Sequence, residues 1–81
     1  MEFPITTYTF NGDGNWNNPD NWIDDLIPPD TLPKCQAIVI DPVTEGQCIL
    51  SGVQHISIGA SLTVKKDKKF TISGNLIIQK Q

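Results

Sequence analysis

The chain has 81 residues, a formal net charge of −3 and no run of the 18 or so apolar residues that a membrane-spanning helix requires. Its only lysine run is interrupted by Asp67, so the chain lacks the basic face that is typical of nucleic-acid-binding domains, which argues against that class. A chain of this length forms one small domain with a thin hydrophobic core, and we expect a single domain over residues 1–81.

The composition divides this domain into two parts. Residues 1–34, the head segment, are rich in Asn, Asp, Pro and aromatic residues, whereas residues 35–81 are rich in Ile, Val, Leu, Thr and Ser. Within the head segment, residues 6–10 predict a strand and residues 11–14, Asn-Gly-Asp-Gly, predict a tight turn. We expect the head segment to act as an N-terminal cap on the regular part that follows.

The head segment also contains aromatic side chains that suit a carbohydrate ligand. Tyr8, Trp16 and Trp22 are candidate stacking platforms for a glycan. The alternative is that both indoles belong to the core, because each tryptophan buries on the order of 200 Å² and a thin domain needs that area.

A second candidate site in the head segment is a calcium loop. Side-chain oxygens recur at Asp13, Asn15, Asn17 and Asp24, a spacing that is similar to that of an EF-hand loop. However, Asn18 stands where that loop has glycine, and no helical pattern flanks it. We therefore predict no bound metal and no other cofactor.

Residues 35–81 contain a series of short apolar runs with turn residues between them. Six triplets have the period-2, β-branched character of strands, at residues 38–40, 48–50, 56–58, 62–64, 70–72 and 76–78. No segment has a sustained 3.6-residue periodicity, so we predict an all-β domain without a helix of consequence.

An internal repeat relates these runs to one another. Residues 56–64 align without gaps on residues 70–78, and the same 14-residue offset places Cys48 under Leu62. Repeats of short strands are typical of stacked coils, since each unit buries its apolar face only against its neighbours. We therefore predict a short, single-stranded parallel β-helix, or β-solenoid, over residues 35–81; the alternative is an antiparallel meander or β-sandwich.

The two cysteines, Cys35 and Cys48, leave two interpretations open. A lone pair in a thin-cored domain suggests a disulfide, which would close a loop of about 14 residues and stabilise the fold by roughly 3 kcal/mol. The other interpretation is that both are small buried thiols. With His55 as the only histidine, a four-ligand zinc site from Cys and His alone is excluded.

The sequence resembles the N-terminal segments of secreted bacterial surface proteins with parallel β-helix, autotransporter-like repeats. The resemblance covers Tyr8 to Ile78: a head with Gly14-Asn15-Trp16, Asn21-Trp22 and Pro28-Pro29, then residues 57–64 (Ser-Ile-Gly-Ala-Ser-Leu-Thr-Val) and residues 70–76 (Phe-Thr-Ile-Ser-Gly-Asn-Leu). It implies a β-helix fold and a secreted or cell-surface location. It carries over no catalytic residue, because the shared positions are turn and core residues.

These observations predict a structural or assembly module rather than an enzyme. His55 has no catalytic motif around it, and the head carboxylates Asp20, Asp24, Asp25 and Asp30 have no acid/base spacing. The alternative is a carbohydrate-binding or adhesion module that uses the head aromatics, with a glycan or surface protein as partner. We expect an extracellular or cell-surface location, as the resemblance implies. Residues 1–4 contain no basic or apolar region of an export signal, so we expect that signal to have been removed.

We also expect the chain to associate with itself. Only Gln79, Lys80 and Gln81 follow the last predicted strand, so little sequence is present to cover the final coil. The prediction is a dimer formed through that uncovered coil or its strand edges.

Overall fold

A computed structural model describes residues 6–79, and these residues form a parallel β-solenoid of three coils. Each coil contributes one strand to each of three sheets, and each strand pairs in parallel with its equivalent in the next coil. The nine strands, in chain order, are β1 (Thr6–Phe10), β2 (Gly14–Asn15), β3 (Thr31–Leu32), β4 (Gln36–Ile40), β5 (Gln47–Leu50), β6 (Val53–Ile56), β7 (Ser61–Val64), β8 (Lys69–Ile72) and β9 (Asn75–Ile78). The predicted solenoid is confirmed, and the antiparallel alternative is wrong.

The three sheets have the orders β1-β4-β7, β2-β5-β8 and β3-β6-β9. Ile38 pairs with Leu62, 24 positions later, whereas Cys48 pairs with Phe70, 22 positions later. The 14-residue offset is therefore not the length of a coil, and Cys48 stacks on Phe70 and not on Leu62, with which that offset aligns it. That offset relates β7 to β9, which are two sides of one coil and share the same short strand-and-corner pattern.

The position of β6 differs from the sequence prediction. A strand was expected at residues 56–58, but β6 spans Val53–Ile56 and Ile58 lies in the following turn. The inward-facing residues of β6 are Gln54 and Ile56, which are both 2% exposed. The polar Gln54 at an inward position interrupts the apolar alternation, so the sequence pattern predicts a strand that begins three residues after the start of β6.

The head segment supplies the first coil, because β1, β2 and β3 all lie within it. Between β2 and β3 the chain makes a long excursion, residues 16–30, which we call the head loop. It contains two single turns of 3-10 helix, Pro19–Asn21 and Ile23–Asp25. Asn18 caps the first turn, since its Oδ1 accepts a hydrogen bond from the Asp20 backbone N–H at 3.1 Å, and Pro19 occupies the first position, where no N–H is needed.

The core lies inside the first two coils. Alternate residues of each strand point into the solenoid, as the burial pattern of β5 shows, with Cys48 and Leu50 inside. The buried apolar residues form one cluster: Phe10, Trp16, Trp22, Leu32, Ile38, Ile40, Cys48, Leu50 and Ile56. Coil 3 has no member in that cluster, so one end of the solenoid is more exposed than the other.

Candidate functional site

The head loop closes the N-terminal end of the solenoid by pairing with the first strand. Trp22 forms an isolated antiparallel bridge with Phe10, and the Asn11 N–H donates to the Asn21 carbonyl at 2.9 Å. The Trp22 ring lies edge-on against Phe10, with centroids 5.3 Å apart, and edge-on against Trp16, with centroids 5.0 Å apart. An antiparallel segment across the edge of β1 covers the end of the first coil with aromatic surface.

A buried amide holds this closure in position. Asn21 is 8% exposed; its Oδ1 accepts from the Asp13 N–H at 3.2 Å and its Nδ2 donates to the Asn15 carbonyl at 3.0 Å. Gly12 makes the close approach feasible, because a Cβ at that position would lie 2.8 Å from the Asn21 Cα. Asn21 thus links the head loop to the corner that precedes β2.

The tryptophans proposed as stacking platforms lie in the core instead. Trp16 and Trp22 are each 2% exposed, and the Trp22 indole N–H donates to the Trp16 carbonyl at 2.8 Å. Tyr8 is half-buried and packs against the same cluster. The core interpretation of both indoles is therefore correct, and neither ring offers a face on which a sugar can stack.

The calcium candidates bind other parts of the protein. Asp13 Oδ1 accepts from the Gln47 N–H at 3.0 Å, and Asn15 Oδ1 accepts from the Asn17 N–H at 2.7 Å and from the Ser51 hydroxyl at 3.2 Å. Two of these contacts join coil 1 to coil 2. Across residues 6–79, no group of three or more His, Cys, Asp and Glu side chains is arranged to hold a metal ion.

Asp24, the last of the calcium candidates, is exposed and adopts a left-handed backbone, with a φ of 59°. It lies in the second 3-10 turn of the head loop, beside Asp25, which has a φ of 56°. Aspartate is one of the few residues that adopt this conformation at low cost, so a turn-forming role accounts for its presence.

The two cysteines are free thiols, so the disulfide interpretation is wrong, and the buried-thiol interpretation is correct for Cys48 but not for the exposed Cys35. Cys48 points into the core from β5, whereas Cys35 is exposed in the turn before β4 and has a φ of 67°. The Cys35 N–H donates to the Gly59 carbonyl at 3.1 Å, which ties that turn to the corner of coil 3 and away from β5. Burial raises the pKa of the Cys48 thiol to about 12, so this group remains protonated at neutral pH.

The remaining chemical candidates do not converge. His55 is half-buried on the outer side of β6, between Thr31 and Ile77 in the third sheet. The four head carboxylates named above are all exposed along the head loop. Asp30 is the nearest of them along the sheet, since its carbonyl accepts from the His55 N–H at 2.8 Å, but among residues 6–79 no side-chain hydrogen bond or ion pair joins His55 to any of these acids.

A shallow cleft of about 360 Å³ lies at the corner between the first and second sheets. Residues 43–46 of coil 2 and residues 67–69 of coil 3 line it. Glu45 and Asp67 take left-handed conformations there, with φ values of 66° and 62°, and Lys68 donates to the Pro42 carbonyl at 2.8 Å. The Lys68 ammonium also lies 3.5 Å from the Asp41 carboxylate, so this charge is used to join two coils.

The opposite end of the solenoid, which we call the open end, exposes the interior of coil 3. Each of the three strands of coil 3 is an edge strand of its sheet among residues 6–79. Three of their inward residues, Leu62, Phe70 and Leu76, are half-buried against the core. The other three, Val64, Ile72 and Ile78, are 39, 45 and 55% exposed, whereas their register partners in coil 2 are buried: Ile40, Leu50 and Ile56. These three side chains form an apolar ring bordered by free strand edges.

Sequence reasoning missed one buried contact that positions the head loop. Gln54 is 2% exposed, and its Nε2 donates to the Pro29 carbonyl at 2.9 Å and to the His55 carbonyl at 3.1 Å. It anchors the end of the head loop to coil 2. The only signal in the sequence is one polar residue within an otherwise alternating strand, and such a residue gives no indication of its partner.

Comparisons with known proteins give no relative: no family model, no curated protein and no solved structure matches the chain. Among the described residues, no helix is long and apolar enough to cross a membrane.

Proposed function

We propose that this chain is a non-catalytic structural module that caps the start of a β-solenoid in a secreted or cell-surface bacterial protein. The observation that carries the proposal is the difference between the two ends. The N-terminal end carries the head loop, with Phe10 and Trp22 buried, whereas the open end exposes a ring of apolar side chains. A terminal unit of a solenoid needs one closed side and one side on which coils can stack.

The polar contacts of the head support the same conclusion. Asp13 and Asn15 are bonded to Gln47 and Ser51 of coil 2, and Asn21 is bonded within the head. The groups that a binding site would present to a ligand therefore hold the cap on the solenoid instead. The secreted or cell-surface location is inferred from the resemblance of the repeats to bacterial surface proteins.

The experiment adds coils to the open end. Copies of residues 57–78, which run from the end of β6 to the end of β9 and have the 22-residue spacing between Ile56 and Ile78, are appended after residue 78. We expect each added coil to raise the denaturation midpoint, because each new interface re-buries the apolar ring. An extension of equal length made of Gly and Ser is the control, and an extended chain no more stable than this control would contradict the proposal.

A second comparison isolates the cap. The same extended array without residues 6–34 should aggregate, because its first coil then presents bare strand edges and apolar side chains. If the headless array is as soluble as the capped one, the head segment is not a cap. In the cells that produce the protein, protease treatment of intact cells should remove it if it lies on the surface.

Tryptophan fluorescence tests the module against a glycan-binding role. With both indoles buried, the emission should be blue-shifted and should not change when polysaccharides are added. A red-shifted emission that moves on adding polysaccharide would contradict the proposal and favour a carbohydrate-binding module.

A further inference from the structure

The two ends of the solenoid carry opposite charges. Residues 6–34 contain five aspartates and one lysine, a net charge of −4, and four of the aspartates lie exposed on the head loop. Residues 57–79 contain four lysines and one aspartate, a net charge of +3. Lys65, Lys66 and Lys69 are exposed at the corner between β7 and β8, beside the open end. The charge of the molecule is thus separated along the direction in which the coils stack.

Exposed apolar side chains occur at both of these ends. Val64, Ile72 and Ile78 form the apolar ring of the open end, and the head loop exposes Ile23 and Leu26, which are 47 and 53% accessible. Each end therefore has exposed apolar side chains next to charges of one sign: lysines at the open end and aspartates on the head loop. Surfaces of opposite charge attract each other and orient the two proteins as they associate.

We propose that the open end binds the head loop of a second copy of this chain, so that copies associate head to tail. The inference rests on the proposed function, since it assigns a partner to the open end of the cap module. Ile23 and Leu26 of one copy would cover the apolar ring of the next, and the head aspartates would face Lys65, Lys66 and Lys69. Such a contact joins two different surfaces, so it continues from copy to copy instead of stopping at a dimer, unless the rotation between copies closes a ring.

The structure favours this arrangement over contact between two open ends. Meeting tail to tail would bring like-charged lysine corners to the same interface, which is unfavourable. Strand addition at the Phe10 end of β1 is also disfavoured, because Trp22 already pairs with that edge. The head-to-tail contact depends on charge, so it should weaken as salt shortens the screening length from about 30 Å at about 0.01 M to about 3 Å at about 1 M.

Charge reversal tests the proposal. The tail variant carries Lys65→Glu, Lys66→Glu and Lys69→Glu, and the head variant carries Asp20→Lys, Asp24→Asn, Asp25→Asn and Asp30→Lys. Asparagine is used at Asp24 and Asp25 because it tolerates their left-handed backbone. The control replaces the same three lysines with arginine, which keeps the charge.

Sedimentation velocity over a series of concentrations gives the readout. The unmodified chain should form species larger than a dimer at low salt and dissociate at high salt, with affinity falling roughly tenfold or more. Each reversed variant should be monomeric alone, the equimolar mixture of the two should associate again, and the arginine control should behave as the unmodified chain. Circular dichroism checks that each variant is folded. The salt series uses the unmodified chain, so it tests the proposal even if a variant does not fold.

Three results would overturn the inference. One is a chain that remains monomeric at low salt. Another is a dimer that does not grow and is unaffected by the head variant, which would indicate tail-to-tail contact. The third is a mixture of folded variants that fails to associate. None of these results alters the stability gained by appended coils, so the failure of this inference is distinguishable from the failure of the cap.

Discussion

Ile56 and Ile78 are register partners in the third sheet, yet Ile56 is 2% exposed and Ile78 is 55% exposed. The same side chain thus occupies equivalent positions in successive coils and differs only in whether a further layer covers it. This pair measures how much stability the covering layer contributes.

We expect Ile56→Ala to lower the free energy of unfolding by about 2–5 kcal/mol, because it leaves a cavity inside the solenoid. Ile78→Ala should lower it by less than about 1 kcal/mol, since most of this side chain is already in water. Urea denaturation of both variants at about 1 M salt, where the proposed head-to-tail contact is screened, gives the comparison. Equal losses would show that Ile78 is buried in solution, for example in an assembly.

Trp22→Phe should destabilise the head by more than Trp16→Phe does. Both substitutions remove similar volume, but only Trp22→Phe also removes the indole N–H that donates to the Trp16 carbonyl at 2.8 Å. An unsatisfied buried carbonyl costs about 1–3 kcal/mol, so the two variants should differ by that amount in thermal or urea denaturation. Indistinguishable losses would mean that this hydrogen bond contributes nothing.

Gly74 and Gly52 occupy the two-residue corners of successive coils and form a matched pair. A Cβ on Gly74 would overlap the Gly52 carbonyl oxygen and lie 2.8 Å from the Ser51 carbonyl oxygen, whereas a Cβ on Gly52 would meet nothing within 4 Å. Gly74→Ala should therefore cost about 1–3 kcal/mol of stability through overpacking. Gly52→Ala should change it by no more than about 0.5 kcal/mol. The prediction fails if both changes are equally tolerated.

The two thiols should react at different rates. In the folded protein a thiol reagent at neutral pH should modify Cys35 rapidly, and Cys48 only after denaturation, because Cys48 is buried and its pKa is raised to about 12. Absorbance of the released chromophore counts one fast thiol per chain, and a Cys35→Ser variant should show none. If the unmodified, unreduced chain has no fast-reacting thiol, the prediction is wrong and a disulfide between Cys35 and Cys48 is favoured.

The same pKa shift predicts a loss of stability at alkaline pH. The pKa of a cysteine in an unfolded chain is about 8.5, so the folded state holds the Cys48 proton more tightly than the unfolded state does. The contribution of this proton is therefore fully present below about pH 8.5 and is lost as the pH rises towards about 12. Cys48→Ala should lack this part of the alkaline dependence in urea denaturation, and an identical pH profile for both proteins would contradict it.

The positions of most strands and the burial of the tryptophans could be predicted from the amino-acid sequence. Short runs of alternating apolar residues with polar corners specified strands at residues 6–10, 38–40, 48–50, 62–64, 70–72 and 76–78, because residue periodicity is a local property that the chain carries whatever its tertiary fold. Repetition of those runs also predicted stacked coils. The large apolar area of the two tryptophans favoured a core position, which the structure confirms for Trp16 and Trp22.

The three-dimensional structure was needed to establish which strands are neighbours and which surfaces remain open. The 14-residue offset relates two strands of one coil, because strands within a coil and strands of successive coils have the same local sequence pattern. Which strands pair depends on how the corners turn the chain in space. Burial of Gln54, separation of Cys35 from Cys48 and exposure of Ile78 likewise depend on contacts between distant residues. An identical isoleucine is core in one coil and surface in the next because a covering layer, and not the residue, determines burial.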